Sequence, residues 1–118
     1  MLLVGHLAKL PIMDTKTTAR YQARARIIKA LAHPTRLFIV DQLSHSERCV
    51  CALTEMVGAD ISTVSKHLSL LKSAGIVQVD KRGTQVFYRL TMPCVLNFLG
   101  CVETMLKEAA EEQMRLVG

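Results

Sequence analysis

The chain of 118 residues contains no tryptophan, and only 4% of its residues are aromatic. Surfaces that bind single-stranded nucleic acid depend on aromatic side chains on which the bases stack, so this scarcity argues against such a partner. The longest charge-free stretch near the end of the chain, residues 90–102, is interrupted by Pro93 and Asn97. It is too short to cross a bilayer, so we expect no membrane partner.

Arrangements that support enzyme chemistry are also missing from the sequence. We find no glycine-rich phosphate loop, no two-carboxylate site and no set of nucleophile, base and orienting group. Such sets are the usual signs of a catalytic site. We therefore expect that the protein is not an enzyme.

The first residues, MLLVGHLAKLPIM, lack a basic start and a clear cleavage site. A secretory signal is therefore not expected, and the four cysteines should stay reduced in a cytoplasmic protein. Residues 1–14 show no clean period and are predicted to form an N-terminal arm, for which disorder is one alternative. Residues 15–118 are predicted to form a single domain, because the chain has room for one and not two.

The net charge and the mean hydropathy both indicate that the chain binds other molecules. The formal net charge is +5, and residues 15–40 contain six basic residues and no acidic one, whereas four glutamates follow from residue 103 onward. A basic balance favours a polyanionic partner. The mean hydropathy of +0.26 is high for a chain that exposes much of its surface, so we expect a second subunit to cover part of it.

The spacing of apolar residues predicts a mainly helical fold with one small β-hairpin. Apolar residues four apart predict a first helix over about 15–31, and Pro34 suits the first turn of a second helix over 34–45. Further helices are predicted over about 49–59 and 61–75, the latter capped by Asp60 or Ser62, and a last helix over about 92–115. Alternation with period two on both sides of Gly83 predicts the hairpin.

The third and fourth helices, joined by a short turn, form a helix-turn-helix pattern, and the basic-tipped hairpin after them makes it a winged helix. Short polar and cationic side chains on the fourth helix suit the major groove of duplex DNA. The predicted DNA-binding residues are Ser62, Thr63, Ser65, Lys66 and His67 on this helix and Lys81 and Arg82 at the hairpin tip. An ordinary surface helix with a capped start is the alternative.

Three segments together resemble the ArsR/SmtB family of bacterial metal-responsive repressors: KALAHPTRLFIVDQL, ERCVCALTEMV and ISTVSKHLSLLKSAGIVQVDKRGTQVFYRL. The resemblance covers about residues 28–90. It implies a homodimeric winged-helix repressor that dimerises through its first and last helices and binds double-stranded operator DNA with dyad symmetry. It also implies that an inducer lowers operator affinity, and that His33, in the HPTR turn, is structural rather than a ligand.

Cys49 and Cys51 are the candidate sensing residues. Thiolates suit soft ions, although a cysteine can equally be a small buried apolar residue. The segment ERCVCAL resembles the metalloid- and cadmium-responsive branches of the family, with Thr54 where the arsenic branch often has a third cysteine. The resemblance implies no permanent cofactor and an inducer such as As(III) or Sb(III), with Cd(II) or Pb(II) second.

Helical geometry restricts how these thiols could bind one ion. Residues two apart on an α-helix point about 200° away from each other, so a shared ion requires non-helical backbone at least through Val50. Cys94 or Cys101 could supply a third thiolate, but not both, because they lie roughly 10 Å apart along the last helix. A thiol-based redox or reactive-sulfur sensor of the same fold is the alternative function.

Overall fold

The computed structural model describes residues 13–117. Within these residues, five helices and three strands follow one another in the order α1 (Thr15–Leu31), α2 (Pro34–His45), β1 (Arg48–Cys49), α3 (Val50–Val57), α4 (Ile61–Ser73), β2 (Val77–Arg82), β3 (Gln85–Leu90) and α5 (Val95–Val117). The predicted fold class is confirmed: the chain is mainly helical and carries a winged helix-turn-helix. Most of the predicted N-terminal arm, residues 1–12, lies outside the described residues.

The first two helices begin at side chains that satisfy their free backbone N–H groups. Asp14 accepts a hydrogen bond from the N–H of Thr17 at 2.7 Å, which caps α1. The ring Nδ1 of His33 accepts from the N–H of Thr35 at 3.0 Å, which caps α2. A side-chain acceptor at this position stabilises a helix start. His33 therefore has the structural role expected of it.

The hydrophobic core lies between α2, α3, α4 and the start of β2. Its fully buried side chains are Ile39, Val40, Leu53, Val64, Leu68, Leu71, Ile76 and Val77. The first helix adds one buried residue, Leu31, and the last helix adds one, Val95. Both long helices therefore extend beyond the core, and every residue from Cys101 to Val117 is exposed in the single chain.

In the described part of the chain, the sheet has three antiparallel strands in the order β1-β3-β2. The hairpin of β2 and β3 was predicted, but the short strand β1 was not. Arg48 pairs with Tyr88 and Cys49 pairs with Phe87. The prediction that the third helix includes Cys49 was wrong, because this residue has extended backbone (φ −75°, ψ 159°) and α3 begins after it.

The last helix begins later than predicted. Val95, Leu96 and Asn97 each donate a backbone hydrogen bond to the residue three positions before them. This tight turn around Pro93 and Cys94 precedes the regular helix, so Cys94 lies outside α5. No helix in the described part of the chain is long and apolar enough to span a bilayer.

Candidate DNA-binding surface and thiol site

Gly58 ends the first helix of the helix-turn-helix and begins its turn. Its φ of 75° is left-handed, and its N–H donates to the carbonyl of Thr54 at 3.0 Å, which ends α3. Glycine adopts this conformation without the steric penalty of other residues. The next helix, α4, then begins three residues later and packs its apolar side against α3, which turns its other side outward.

The outward side of α4 carries most of the predicted DNA-binding residues. Val64, Leu68 and Leu71 are buried. Lys66 lies two positions after Val64, about 200° around the helix, and is exposed together with Ser62 and Thr63. Ser65 is half-buried. The structure thus presents two hydroxyls and one cation together at the first turns of α4.

A carboxylate lies next to these residues. The hydroxyl of Ser62 donates to Oδ2 of Asp60 at 2.6 Å, and hydrogen bonds from Ser62 and Thr63 lower the pKa of Asp60. Asp60 precedes α4 but makes no side-chain cap hydrogen bond to its backbone. The Ser62 hydroxyl therefore already has a partner in the free protein, and a DNA acceptor would have to compete for it.

His67 lies apart from the exposed set. It is half-buried; its ring centroid is 4.4 Å from that of His33, and Arg36 lies 3.1 Å from its Nδ1. Arg36 also donates to the carbonyl of Ala30 at 2.5 Å. Burial first, and then the charges of His33 and Arg36, lower the pKa of His67. Helical spacing could have predicted that His67 is half-buried, because it follows buried Val64 by three residues and so lies near the same face of α4.

The two predicted cations of the wing, which is the hairpin of β2 and β3, differ in their ion pairs. Lys81 is exposed and belongs to none of the ion pairs found in residues 13–117. Arg82 donates two hydrogen bonds to the carboxylate of Glu47, at 2.5 and 2.9 Å, and one to Asp80 at 3.0 Å. These carboxylates raise the pKa of Arg82. Sequence reasoning missed the role of Glu47, because this residue is 35 positions away from Arg82 along the chain.

The four thiols are free and differ in exposure. Cys49 is half-buried at the start of α3, where its Sγ accepts from the N–H of Ala52 at 3.4 Å. Cys51, in the first turn of α3, is exposed, as are Cys94 and Cys101. Within residues 13–117, no three His, Cys, Asp or Glu side chains lie close enough to hold one metal ion. The structure therefore does not bring a third cysteine to Cys49 and Cys51 within one subunit.

Comparisons with known proteins agree with the winged helix-turn-helix described above. Residues 33–79 match the family described as "Bacterial regulatory protein, arsR family". The chain is 36% identical over 87 residues to an uncharacterised helix-turn-helix transcriptional regulator of Methanocaldococcus jannaschii, covering 73% of this chain and 98% of that protein. It is 43% identical over 68 residues to the transcriptional repressor SmtB of Mycobacterium tuberculosis, covering 58% of this chain. The chain spans only 50% of the length of SmtB and 37% of a second regulator from that species.

A solved structure shares the fold. The homodimeric winged helix-turn-helix DNA-binding domain of a possible ArsR-family regulator from Mycobacterium bovis has a TM-score of 0.73 and 32% identity. The alignment covers 87% of this chain and 95% of that domain. The family and the fold are those of DNA-binding transcriptional regulators rather than of enzymes. The arsR family match over the helix-turn-helix, together with the 32% identity to the M. bovis ArsR-family domain over 95% of its length, establishes that this chain belongs to the arsR family of bacterial regulatory proteins.

Proposed function

We propose that this protein is a cytoplasmic, dimeric transcriptional repressor that a soft thiophilic species releases from its operator. The observation that carries the proposal is the position of Cys49, whose sulfur caps the helix packed beneath the exposed DNA-facing helix. A ligand that takes this sulfur acts on the support of the DNA-binding surface. Residues 15–118 are proposed to act as one domain.

The proposed DNA contacts lie on the outward side of α4 and at the wing. Thr63 and Lys66 are exposed at the first turns of α4, where short polar and cationic side chains can reach base edges and phosphates in the major groove. Lys81 is available for the flanking backbone. Ser62 joins them if it leaves Asp60, and Ser65 lies at the edge of the set. We assign His67 to packing rather than to DNA.

A second copy of the chain is proposed to cover the long helices. Phe98, Met105 and Leu106 on α5 are exposed by 53%, 68% and 63%. Apolar side chains in a row on one helix are rarely left in water. The solved M. bovis relative is described as homodimeric. Pairing of two such chains would place two copies of α4 on one duplex, as an operator with dyad symmetry requires.

Cys49 and Cys51 are the proposed ligands of As(III) or Sb(III) first and of Cd(II) or Pb(II) second. Soft ions prefer thiolates to the hydroxyl that Thr54 offers. Because Cys49 already has extended backbone, only Val50 and Cys51 would have to leave the helical conformation for both sulfurs to reach one ion. The cap on Ala52 would be lost, and the first turn of α3 with it. A third thiolate would come from Cys94 or Cys101, after movement of α5 or from the partner subunit.

Redox or reactive-sulfur sensing is a second candidate. The observation that favours it is the exposure of three of the four free thiols together with the absence, within residues 13–117, of a three-ligand group. A thiolate attacks a disulfide or is oxidised most readily where it is accessible. A disulfide or sulfur bridge that includes Cys49 would remove the same helix cap.

The test measures the affinity of the reduced protein for a duplex selected from a random-sequence pool, by fluorescence anisotropy. Arsenite, antimonite, Cd(II), Pb(II), Zn(II) and a disulfide oxidant are added in turn. We expect at least one soft ion to raise Kd by about fivefold or more, the lower end of usual allosteric coupling. Cys49→Ser and Cys51→Ser should keep DNA binding and lose this response.

Cys94 and Cys101 are changed to serine one at a time: the variant that loses the response identifies the third ligand, and the variant that keeps it serves as the matched control. If only the oxidant releases DNA, the redox function replaces the metalloid function. If the variant lacking both Cys49 and Cys51 still responds to the same ion, the pair is structural. A protein that binds no selected duplex at any salt concentration is not a DNA-binding repressor.

A further inference from the structure

One arginine, Arg82, links the wing to the segment that precedes Cys49. The guanidinium of Arg82, at the end of β2, donates both hydrogen bonds of a bidentate pair to Glu47, and a third to Asp80. The same guanidinium lies over the ring of Phe87, 4.6 Å from its centroid. Glu47 and Arg82 belong to segments on opposite edges of the sheet, so this contact spans all three strands.

The candidate sensing residue sits in the same part of the sheet. Cys49 on β1 pairs with Phe87 on β3, and Phe87 pairs with Asp80 on β2. Residues paired across strands share a face of the sheet. Cys49, Phe87 and Asp80 therefore form one row across the sheet. The side chain of Arg82 lies over Phe87, in the middle of this row, and is hydrogen-bonded to Asp80, at one end of it. Glu47 is two residues before the thiol.

An isolated, exposed ion pair usually contributes little to stability. This one differs in geometry, because the pair is bidentate, the cation is shared by two carboxylates and its face is stacked on an aromatic ring. Moreover, β1 has only two residues, so two register pairs and this ion pair are what join it to the wing. Any shift of Cys49 that breaks the short ladder also displaces Glu47 from Arg82.

We propose that Glu47 is a positioning residue that holds the wing for DNA binding through Arg82, and that this contact carries a change at Cys49 to the wing. The inference rests on the proposed function, because it assigns a route to the release described above. In the free chain, which is the DNA-binding form of a repressor, the contact is made. Loss of the contact removes the side-chain link between the β1 segment and the end of β2, and leaves only the two register pairs of β1 with β3 to join β1 to the wing.

The test is a double-mutant cycle on affinity for the selected duplex, with Glu47→Gln, Arg82→Gln and both changes together. Simple electrostatics predicts that Glu47→Gln tightens DNA binding, because it removes a negative charge. Positioning predicts the opposite sign: affinity falls about two- to fivefold, the range expected for loss of one such pair. In the Arg82→Gln background, Glu47→Gln should cause no further fall.

A matched control is Arg89→Gln. Arg89 is a wing cation that bonds to Gln78 on the neighbouring strand and not to the β1 segment. Its loss should lower affinity by the same factor whether or not Glu47 is changed, because it removes charge without removing the contact.

A second measurement follows the thiol directly. In a variant with Cys51, Cys94 and Cys101 changed to serine, N-ethylmaleimide labels Cys49 alone. Binding of the selected duplex should slow this labelling several-fold, and Glu47→Gln should abolish most of the protection while DNA is still saturating. A fall in affinity that depends on Arg82, with loss of protection, supports the proposal. A rise in affinity, or equal effects of Glu47→Gln in both backgrounds, overturns it. If the unchanged protein binds no selected duplex, the proposed function fails and this inference fails with it.

Discussion

Replacement of His67 by alanine should destabilise the protein in a pH-dependent way. At pH 8 the neutral ring accepts from Arg36 at 3.1 Å in a half-buried site. A hydrogen bond to a charged partner contributes about 1.5–3 kcal/mol, so His67→Ala should lower the free energy of unfolding by about that amount. Helix α4, which carries the proposed DNA contacts, also loses its contact with the HPTR turn, so duplex affinity should fall as well.

The sign of the pH effect follows from the lowered pKa of His67, which lies below its usual 6.5 in the folded chain. As the pH falls through 6.5, the unfolded chain takes up a proton before the folded chain does. The stabilisation by neutral His67 is therefore complete above about 6.5 and is lost as the pH falls toward the folded pKa. The charged groups that face the ring are His33 and Arg36, and both disfavour its protonation.

Urea unfolding, followed by circular dichroism at one protein concentration, measures the difference between wild type and His67→Ala at pH 8 and pH 5.5. The difference should shrink at the lower pH. His45→Ala, at an exposed histidine in the last turn of α2, controls for general effects of losing an imidazole. A difference of equal size at both pH values would refute the role of the neutral ring.

Three further outcomes are expected. Leu68→Ala, at a side chain with no exposure, should lower the free energy of unfolding by about 2–5 kcal/mol in urea titrations; a loss below 1 kcal/mol would contradict the described core. Gly58→Ala should cost about 1–2 kcal/mol in the same assay, because φ is 75°, even though no atom beyond the adjacent residues lies within 4 Å of the added carbon; an unchanged midpoint would count against the left-handed turn. Sedimentation at micromolar concentration should give about 26 kDa, twice the chain mass of 13.1 kDa, and a monomer would disprove the dimer.

Most of the fold could be predicted from local pattern. Pro34 marks where α2 begins, and the four-residue spacing that ends at Leu31 marks α1, so both predicted ranges agree with the structure. The change of apolar period after Gly75 identifies the hairpin in the same way. These features depend on residues that are neighbours in sequence, which is why the pattern is sufficient.

What the sequence did not predict depends on contacts between distant segments. Strand β1 is only two residues long and exists because Cys49 pairs with Phe87, a partner 38 positions later in the sequence, so periodicity gives no sign of it. The contact of Arg82 with Glu47, 35 positions earlier in the sequence, was missed for the same reason. Which predicted residues touch DNA or an inducer depends on molecules outside the chain and stays a prediction.

The core extends only from Leu31 to Val95, so the order of the two long terminal helices should depend on the concentration of the protein in the cell. Helices α1 and α5 contain 17 and 23 residues and bury one side chain each within the chain. Helices in proteins owe most of their stability to the packing of an apolar face, so in the proposed dimer the order of α1 and α5 depends on mass action between copies. Dilution should therefore leave a small folded centre with two fraying ends, and amide exchange would show protection in α3 and α4 persisting at concentrations where α1 and α5 have lost it.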